Sequence, residues 1–254
     1  MDTLLEVDGL SKHYGGLAAV DDVTFSVTEG ETLGIAGPNG AGKTTLFDLI
    51  SGHVGATAGR VSFAGQEIQR LPIHRICRLG LSRTFQLPSV IDSQTVFANA
   101  VAGSHFGTAQ KARFRWGYTP EVAERAHEAL DFVGLSDKAS TPAGPLPVFD
   151  KKRLMIGQAL AARPRLLMLD EPAGGLTPPE VDSLVELIGA IRARGVTVIL
   201  IEHVMRALTA VADRVLIMNQ GRRLFEGTPA QMMADPEVAR VYLGTSAGGD
   251  HAQS

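Results

Sequence analysis

Gly37-Pro38-Asn39-Gly40-Ala41-Gly42-Lys43-Thr44-Thr45 is the stretch that decides the fold. It follows the apolar run Thr32-Leu33-Gly34-Ile35-Ala36, which reads as a buried strand. It precedes Leu46-Phe47-Asp48-Leu49-Ile50, which reads as the start of a helix. The pattern is G-x-x-x-x-G-K-[ST] in the strand–loop–helix setting of a phosphate-binding loop. Glycines leave backbone N–H groups able to curl round an anion. The helix N-terminus adds the positive end of its dipole. Lys43 supplies a point charge for the β- and γ-phosphates, and the Thr44 hydroxyl suits Mg²⁺. A glycine-rich turn that matches by chance is the plain alternative, and Lys43 and Thr44 both falling in register argue against it.

A second run supports the first. Arg165-Leu166-Leu167-Met168-Leu169-Asp170-Glu171-Pro172 is a continuous apolar strand ending in two carboxylates. Such a strand suits a parallel sheet covered on both faces, and ligands sit at the C-terminal ends of these strands. Asp170 is expected to hold Mg²⁺, commonly through water. Glu171 is expected to orient and deprotonate an attacking water. A strand capped by two solvated acids is credible for this run alone and weak beside the phosphate loop. Together the two runs supply the parts for binding and hydrolysing a nucleoside triphosphate.

At 254 residues the chain can bury a large core, as one domain with a subdomain or as two small domains. A formal charge of −3 gives no global pull toward nucleic acid or anionic lipid. The single cysteine, Cys77, rules out an internal disulfide and reads as a small buried hydrophobe in a reducing compartment. Met1-Asp2-Thr3-Leu4-Leu5-Glu6 lacks the basic-then-apolar pattern of a signal peptide. The longest apolar run, Val196-Thr197-Val198-Ile199-Leu200-Ile201, is strand-sized rather than membrane-spanning. A soluble protein is expected, with any membrane role arising through a partner.

No internal repeat is found. Short β-like segments open the chain at Leu4–Val7, Val23–Val27, Thr32–Ala36 and Arg60–Phe63, followed by Leu81-Ser82-Arg83-Thr84-Phe85-Gln86. From about residue 87 to 163 the pattern turns helical, with an amphipathic stripe over Glu121–Val133 after an irregular segment, Gly103–Thr119. Strand Leu166–Leu169, helix Pro179–Arg194, strand Val196–Ile201, helix Val204–Ala212 and strand Val215–Met218 then alternate. This βαβαβ order predicts a parallel sheet. Pro229–Leu243 reads as two short helices. The expected organisation is an ATPase domain over 1–245. Its α/β core takes about 1–86 and 164–228, a helical subdomain about 87–163, and C-terminal helices 229–245. A disordered tail is expected over 246–254.

Further elements narrow the class. Gln86 ends a strand just before the helical insert. His203 follows the strand Val198–Ile201 with Glu202 between. Tyr14 sits in Lys12-His13-Tyr14-Gly15-Gly16, upstream of the phosphate loop. With Leu169-Asp170-Glu171-Pro172, these resemble the nucleotide-binding subunit of ABC transporters over almost the whole chain, Leu4 to about Leu243. The fold implied is an α/β P-loop NTPase core with an N-terminal antiparallel β subdomain and an inserted helical subdomain. The resemblance implies ATP and Mg²⁺ as ligands. It implies that Tyr14 stacks on adenine, that Gln86 senses Mg²⁺ and the γ-phosphate, and that His203 hydrogen-bonds the γ-phosphate. Each role suits its side chain, although singly the three read as ordinary surface or strand-end residues.

Arg83-Thr84-Phe85-Gln86, Glu202-His203, Asn219-Gln220-Gly221, Glu226-Gly227-Thr228-Pro229 and Val241-Tyr242-Leu243-Gly244 look like the ATP-binding subunits of branched-chain amino acid importers. Urea and short-amide importers carry similar motifs, and the lipopolysaccharide-export ATPase is a further relative. The partners implied are a second ATP-binding subunit, two transmembrane permease subunits and an extracytoplasmic solute-binding protein. The place implied is the cytoplasmic face of the membrane. A soluble ABC protein acting on DNA or ribosomes is the rival class; such proteins usually carry two cassettes or a long coiled-coil insert. A subunit that binds ATP without hydrolysing it is a third reading, opposed by Glu171 and His203.

One stretch departs from the family pattern. The family requires Leu-Ser-Gly-Gly-Gln or a near variant at a helix N-terminus before the second carboxylate strand, where it reaches the γ-phosphate held by the other subunit. Here the aligned residues are Leu146-Pro147-Val148-Phe149-Asp150, then Lys151-Lys152-Arg153. Pro147 lacks an N–H, Phe149 puts bulk where backbone should approach the phosphate, and Asp150 puts negative charge toward an anion. Asp150 also reads as a helix N-cap, with Lys151 and Lys152 partly offsetting its charge. The departure favours a heterodimer. Thr177 stands where Asn or Asp is usual and still offers a hydrogen bond. Lys111-Ala112-Arg113-Phe114-Arg115-Trp116-Gly117-Tyr118 mixes basic and aromatic residues. It reads first as a solvated loop and second as a docking segment, and no nucleic acid is expected as a partner.

Overall fold

The computed structural model describes residues 2–86, 89–106 and 118–246. The expected tail 246–254, apart from Ser246, which ends a helix, and the basic-aromatic residues 111–117 lie outside the described residues. In chain order the elements are β1 (Thr3–Tyr14), β2 (Leu17–Thr28), β3 (Thr32–Ala36), α1 (Lys43–Ile50), β4 (Ala58–Phe63), β5 (Gln66–Glu67) and α2 (Ile73–Arg78). There follow β6 (Leu81–Arg83), α3 (Val96–Phe106), α4 (Pro120–Phe132), α5 (Val148–Ala161), β7 (Leu166–Asp170) and α6 (Pro178–Ala193). The last are β8 (Thr197–Ile201), α7 (Met205–Val211), β9 (Arg214–Asn219), β10 (Arg222–Gly227), α8 (Pro229–Ala234) and α9 (Pro236–Ser246). The chain forms two compact units. The first runs up to Leu71 and resumes at Val198; the second is Pro72–Thr197.

The first unit holds two sheets. One is antiparallel in the order β2-β1-β4-β5. Leu5, Val7 and Leu10 of β1 and Val61 and Phe63 of β4 have no exposed surface, so one face of this sheet is core. In the other, β3 lies between two parallel neighbours. It pairs with β8 from Thr32↔Val198 to Ile35↔Ile201, and with β9 from Leu33↔Arg214 to Ala36↔Ile217. Strand β10 runs antiparallel to β9. Every residue of β3 and β8 is buried, the pattern of strands covered on both faces. Helix α7 lies close on β3: a Cβ at Gly34 would stand 2.4 Å from Leu208 Cδ1. The rim carries charge, with Arg214 paired to Glu31 at 2.6 Å and to Glu226.

In the second unit β6 and β7 are parallel neighbours, from Leu81↔Leu166 to Arg83↔Met168. Helices α3, α4 and α5 pack on one another. The α3–α5 crossing is tight, since a Cβ at Gly103 would fall 2.1 Å from the Gln158 carbonyl oxygen. Asn99 takes part in the same crossing through the Gln158 amide at 3.2 Å. Thr177 begins α6, its N–H and hydroxyl both donating to Glu180 at 2.8 and 2.7 Å. Cys77 is half-buried rather than buried, and burial pushes its thiol up.

Several elements differ from the sequence reading. Strands β1 and β2 each span 12 residues, far longer than the apolar cores that announced them. Residues 103–106, read as irregular, continue α3. Strand β6 stops at Arg83, so Gln86 does not end a strand; it lies in a bend beyond it. Helix α2 and strand β10 had no counterpart in that reading.

Candidate functional site

The phosphate loop belongs to the first unit and connects β3 to α1. Gly37 and Gly42 have φ of +147° and +96°, conformations that side chains resist. A Cβ at Gly37 would meet the Met218 carbonyl oxygen at 2.1 Å, and one at Gly42 the Ala19 carbonyl oxygen at 2.2 Å. The loop is thus wedged between β2 and the end of β9, and its shape needs glycine at both places. Helix α1 has no side-chain cap and no acidic residue in its first turn, which suits an anion at its N-terminus. Lys43 is 5% exposed, and its ammonium donates to the Gly37 and Pro38 carbonyls at 2.8 and 2.9 Å, inside the curl of the loop. Asn39, Gly40 and Thr44 are exposed; Pro38 and Thr45 are half-buried and Ala41 is buried.

Tyr14 closes β1 opposite Leu17 and is 51% exposed. Lys12 Nζ stands 5.0 Å from the ring centroid and donates to the Gly55 carbonyl at 2.8 Å. An exposed aromatic with a cation at one face is a suitable platform for a base. His203 follows β8 and is exposed. The backbone N–H groups of His203 and Val204 both donate to the Glu202 carboxylate, at 3.1 and 3.2 Å. Glu202 is 1% exposed. It sets the backbone that presents His203, a role the sequence reading passed over; its signal was an acid at the end of an otherwise apolar strand.

Asp170, Glu171 and Gln86 belong to the second unit. Asp170 ends β7 and is 3% exposed, paired with Arg83 at 2.9 Å. Arg83 on the neighbouring strand therefore anchors the carboxylate, a partner that the sequence alone did not assign. Glu171 is a non-glycine residue at φ +48°. Its Oε2 accepts from Gln86 Nε2 at 2.6 Å, so two residues that lie 85 apart in sequence meet. Its carbonyl oxygen accepts from Gly174 N at 3.2 Å and from Lys152 Nζ at 3.1 Å.

Leu146-Pro147-Val148-Phe149-Asp150 leads into α5, with Pro147 at the N-cap position. Asp150 is therefore not the cap, nor does it point its charge outward. It is buried, and Lys138 and Arg153 both donate to it. Burial pushes the carboxyl up, but the hydrogen bonds from Arg153 and Lys138 outweigh it and hold the group below its ordinary range. The offsetting cations are thus Lys138 and Arg153. Lys151 pairs with Asp92 at 3.2 Å, and Lys152 turns to Glu171. Phe149 packs against Arg153, whose guanidinium lies 5.0 Å from the ring centroid.

A glycine loop on a buried parallel strand, with paired carboxylates ending another strand, defines a P-loop nucleotide-binding protein of α/β fold. The model of the ABC transporter family matches residues 20–174. A second model, described as the branched-chain amino acid ATP-binding cassette transporter, matches residues 222–248. The chain is 40% identical to the high-affinity branched-chain amino acid transport ATP-binding protein BraF of Pseudomonas aeruginosa, covering 95% of this chain and 98% of that protein. It is 38% identical to the LivG protein of Escherichia coli K12 over the same shares. Among solved structures, the ADP conformation of an ATP-binding cassette of an ABC transporter superposes with a TM-score of 0.87. That structure shares 28% identity, covering 96% of this chain and all of that one. The chain belongs to the ABC transporter family, as an ATP-binding cassette with ATPase chemistry.

Proposed function

We propose that this chain is the ATP-hydrolysing subunit of an importer for branched-chain amino acids. The observation that carries the proposal is the similarity to BraF, 40% identity over 95% of the chain. ATP would bind with adenine on Tyr14 and its phosphates in the loop Gly37-Pro38-Asn39-Gly40-Ala41-Gly42-Lys43-Thr44-Thr45. Lys43 would meet the β- and γ-phosphates, and His203 would hydrogen-bond the γ-phosphate. Thr44, Asp170 and Gln86 offer hydroxyl, carboxylate and amide oxygens, hard donors that fit Mg²⁺. Among the described residues no three His, Cys, Asp or Glu gather as a metal site. That suits an ion held mainly by phosphates and water. Bound there, Mg²⁺ would neutralise charge on the β- and γ-phosphates.

Water then attacks the γ-phosphorus as the bond to the β–γ bridging oxygen breaks, giving ADP and phosphate. Glu171 takes the proton of that water, and Gln86, hydrogen-bonded to its carboxylate, orients it. No helix among the described residues is long and apolar enough to cross a membrane. On this reading two separate permease subunits make the crossing and the chain works at their cytoplasmic face. It pairs there with a second ATP-binding subunit, and a solute-binding protein delivers cargo outside.

The test is uptake of labelled leucine, isoleucine and valine by cells from which this gene has been deleted. The wild-type gene should restore uptake, and Lys43→Ala should not. Restored uptake of urea or a short amide in place of the amino acids would move the chain to that related class.

A further inference from the structure

Lys152 carries a charge into a nearly dry place, being 8% exposed on α5. Buried ammonium groups need partners. Its Nζ donates to the backbone carbonyl of Glu171 at 3.1 Å. That carbonyl belongs to a residue in the left-handed region, φ +48°, which a side chain adopts only when its surroundings enforce it. Gln86 grips the same residue by its carboxylate, at 2.6 Å. Glu171 is thus fixed at both ends, by an amide on its side chain and a cation on its backbone. The cation comes from the helix whose first turn is Val148-Phe149-Asp150-Lys151, the stretch aligned with the family's signature.

We propose that Lys152 is a positioning residue for hydrolysis. It locks the backbone of Glu171 so that the carboxylate faces the attacking water, and it ties that alignment to helix α5. The proposal rests on the reading of Glu171 as the base. A charge-assisted hydrogen bond to a carbonyl carries direction as well as strength, and catalysis is sensitive to small displacements of a reacting group.

Steady-state ATP turnover in the assembled transporter tests it, with Lys152→Met, Lys152→Arg, Glu171→Gln and the double variant Lys152→Met/Glu171→Gln. Lys152→Met should lower kcat about tenfold, the effect of losing about 1.4 kcal/mol in the transition state, with KM for ATP within about twofold. Lys152→Arg, which keeps a charged donor, should recover most of the loss. The double variant should be no slower than Glu171→Gln alone, because Lys152 acts through Glu171. Lys152→Gln, which keeps a donor, replaces the methionine variant if that protein does not accumulate, with the same direction of effect. Unchanged kcat in Lys152→Met, an equal loss in Lys152→Arg, or a further tenfold loss in the double variant would each overturn the proposal. Full turnover in Glu171→Gln would instead remove the base assignment itself.

Discussion

Glu171 and Asp170 adjoin in sequence yet are held in different ways. Asp170 is paired with Arg83 inside the second unit, whereas Glu171 turns into the left-handed region and meets Gln86. Glu171→Gln should therefore leave ATP affinity within about threefold and lower turnover at least a hundredfold, the span general acid–base catalysis commonly supplies. Nucleotide binding and steady-state hydrolysis measured on one preparation check this. Tyr14→Ala should weaken ATP binding by about 1–3 kcal/mol, the usual worth of a stacked base, while Tyr14→Phe leaves it unchanged. Titration with a fluorescent ATP analogue decides it, and equal affinity in all three proteins would place the base elsewhere. Asp150 gives a pH test. Its folded-state carboxyl is held below the ordinary value of 3.8, so its stabilisation is complete above that value and fades as pH falls through the lower folded one. Asp150→Asn should cost about 2 kcal/mol in urea melts at pH 7, and the gap from wild type should shrink below about pH 4. The phosphate loop and the two carboxylates were legible as residues because their chemistry dictates both type and spacing. The destination of the Asp150 charge was not, since Lys138 lies on a different segment and sequence spacing does not reveal such a contact.

Elements were legible where local chemistry alone fixes them. Thr119-Pro120, Thr177-Pro178 and Thr228-Pro229 each start a helix, with threonine at the cap and proline at the first helical position. Strand β3 matches its five-residue apolar run from Thr32 to Ala36. Strand β10 escaped notice because Arg222-Arg223-Leu224-Phe225-Glu226-Gly227 has no alternation. It is an edge strand stabilised by pairing with β9 and by Arg214 and Arg223 on Glu226. The end of α3 was obscured by Gly103, which looks like a helix breaker; it is small because Gln158 backbone passes against it. The loop between β3 and α1 is equally intolerant. Gly42→Ala places a Cβ 2.2 Å from the Ala19 carbonyl oxygen at a φ of +96°. It should cost at least about 2 kcal/mol in a urea melt and abolish ATP binding. An alanine variant of wild-type stability and affinity would show that the loop reshapes freely.

At the scale of the molecule, the residues this chain would use for its own nucleotide are present, while the stretch aligned with the signature is altered. Pro147 caps α5 without an N–H, and Phe149 lies against Arg153. In a homodimer both nucleotides would face that stretch. Losing one preorganised donor to transition-state charge costs roughly 3 kcal/mol. The isolated chain should therefore hydrolyse ATP about a hundredfold more slowly than the chain paired with a subunit carrying an intact signature. Turnover by the purified chain alone, followed over its concentration and again with the partner, tests this. Robust hydrolysis that rises with self-association would refute the asymmetric pair.

The place of β3 between β8 and β9 also has a consequence for how the protein is made. Strands β1, β2, β4 and β5 pair with one another within the stretch from Thr3 to Glu67. Among the described residues, strand β3, which carries the phosphate loop, has no strand partner before Val198. About 160 residues of synthesis separate the two, roughly 8–30 s at ~5–20 residues per second. The nascent chain therefore completes its antiparallel sheet first. The nucleotide loop acquires the strands that support it only after β8 and β9 have been made.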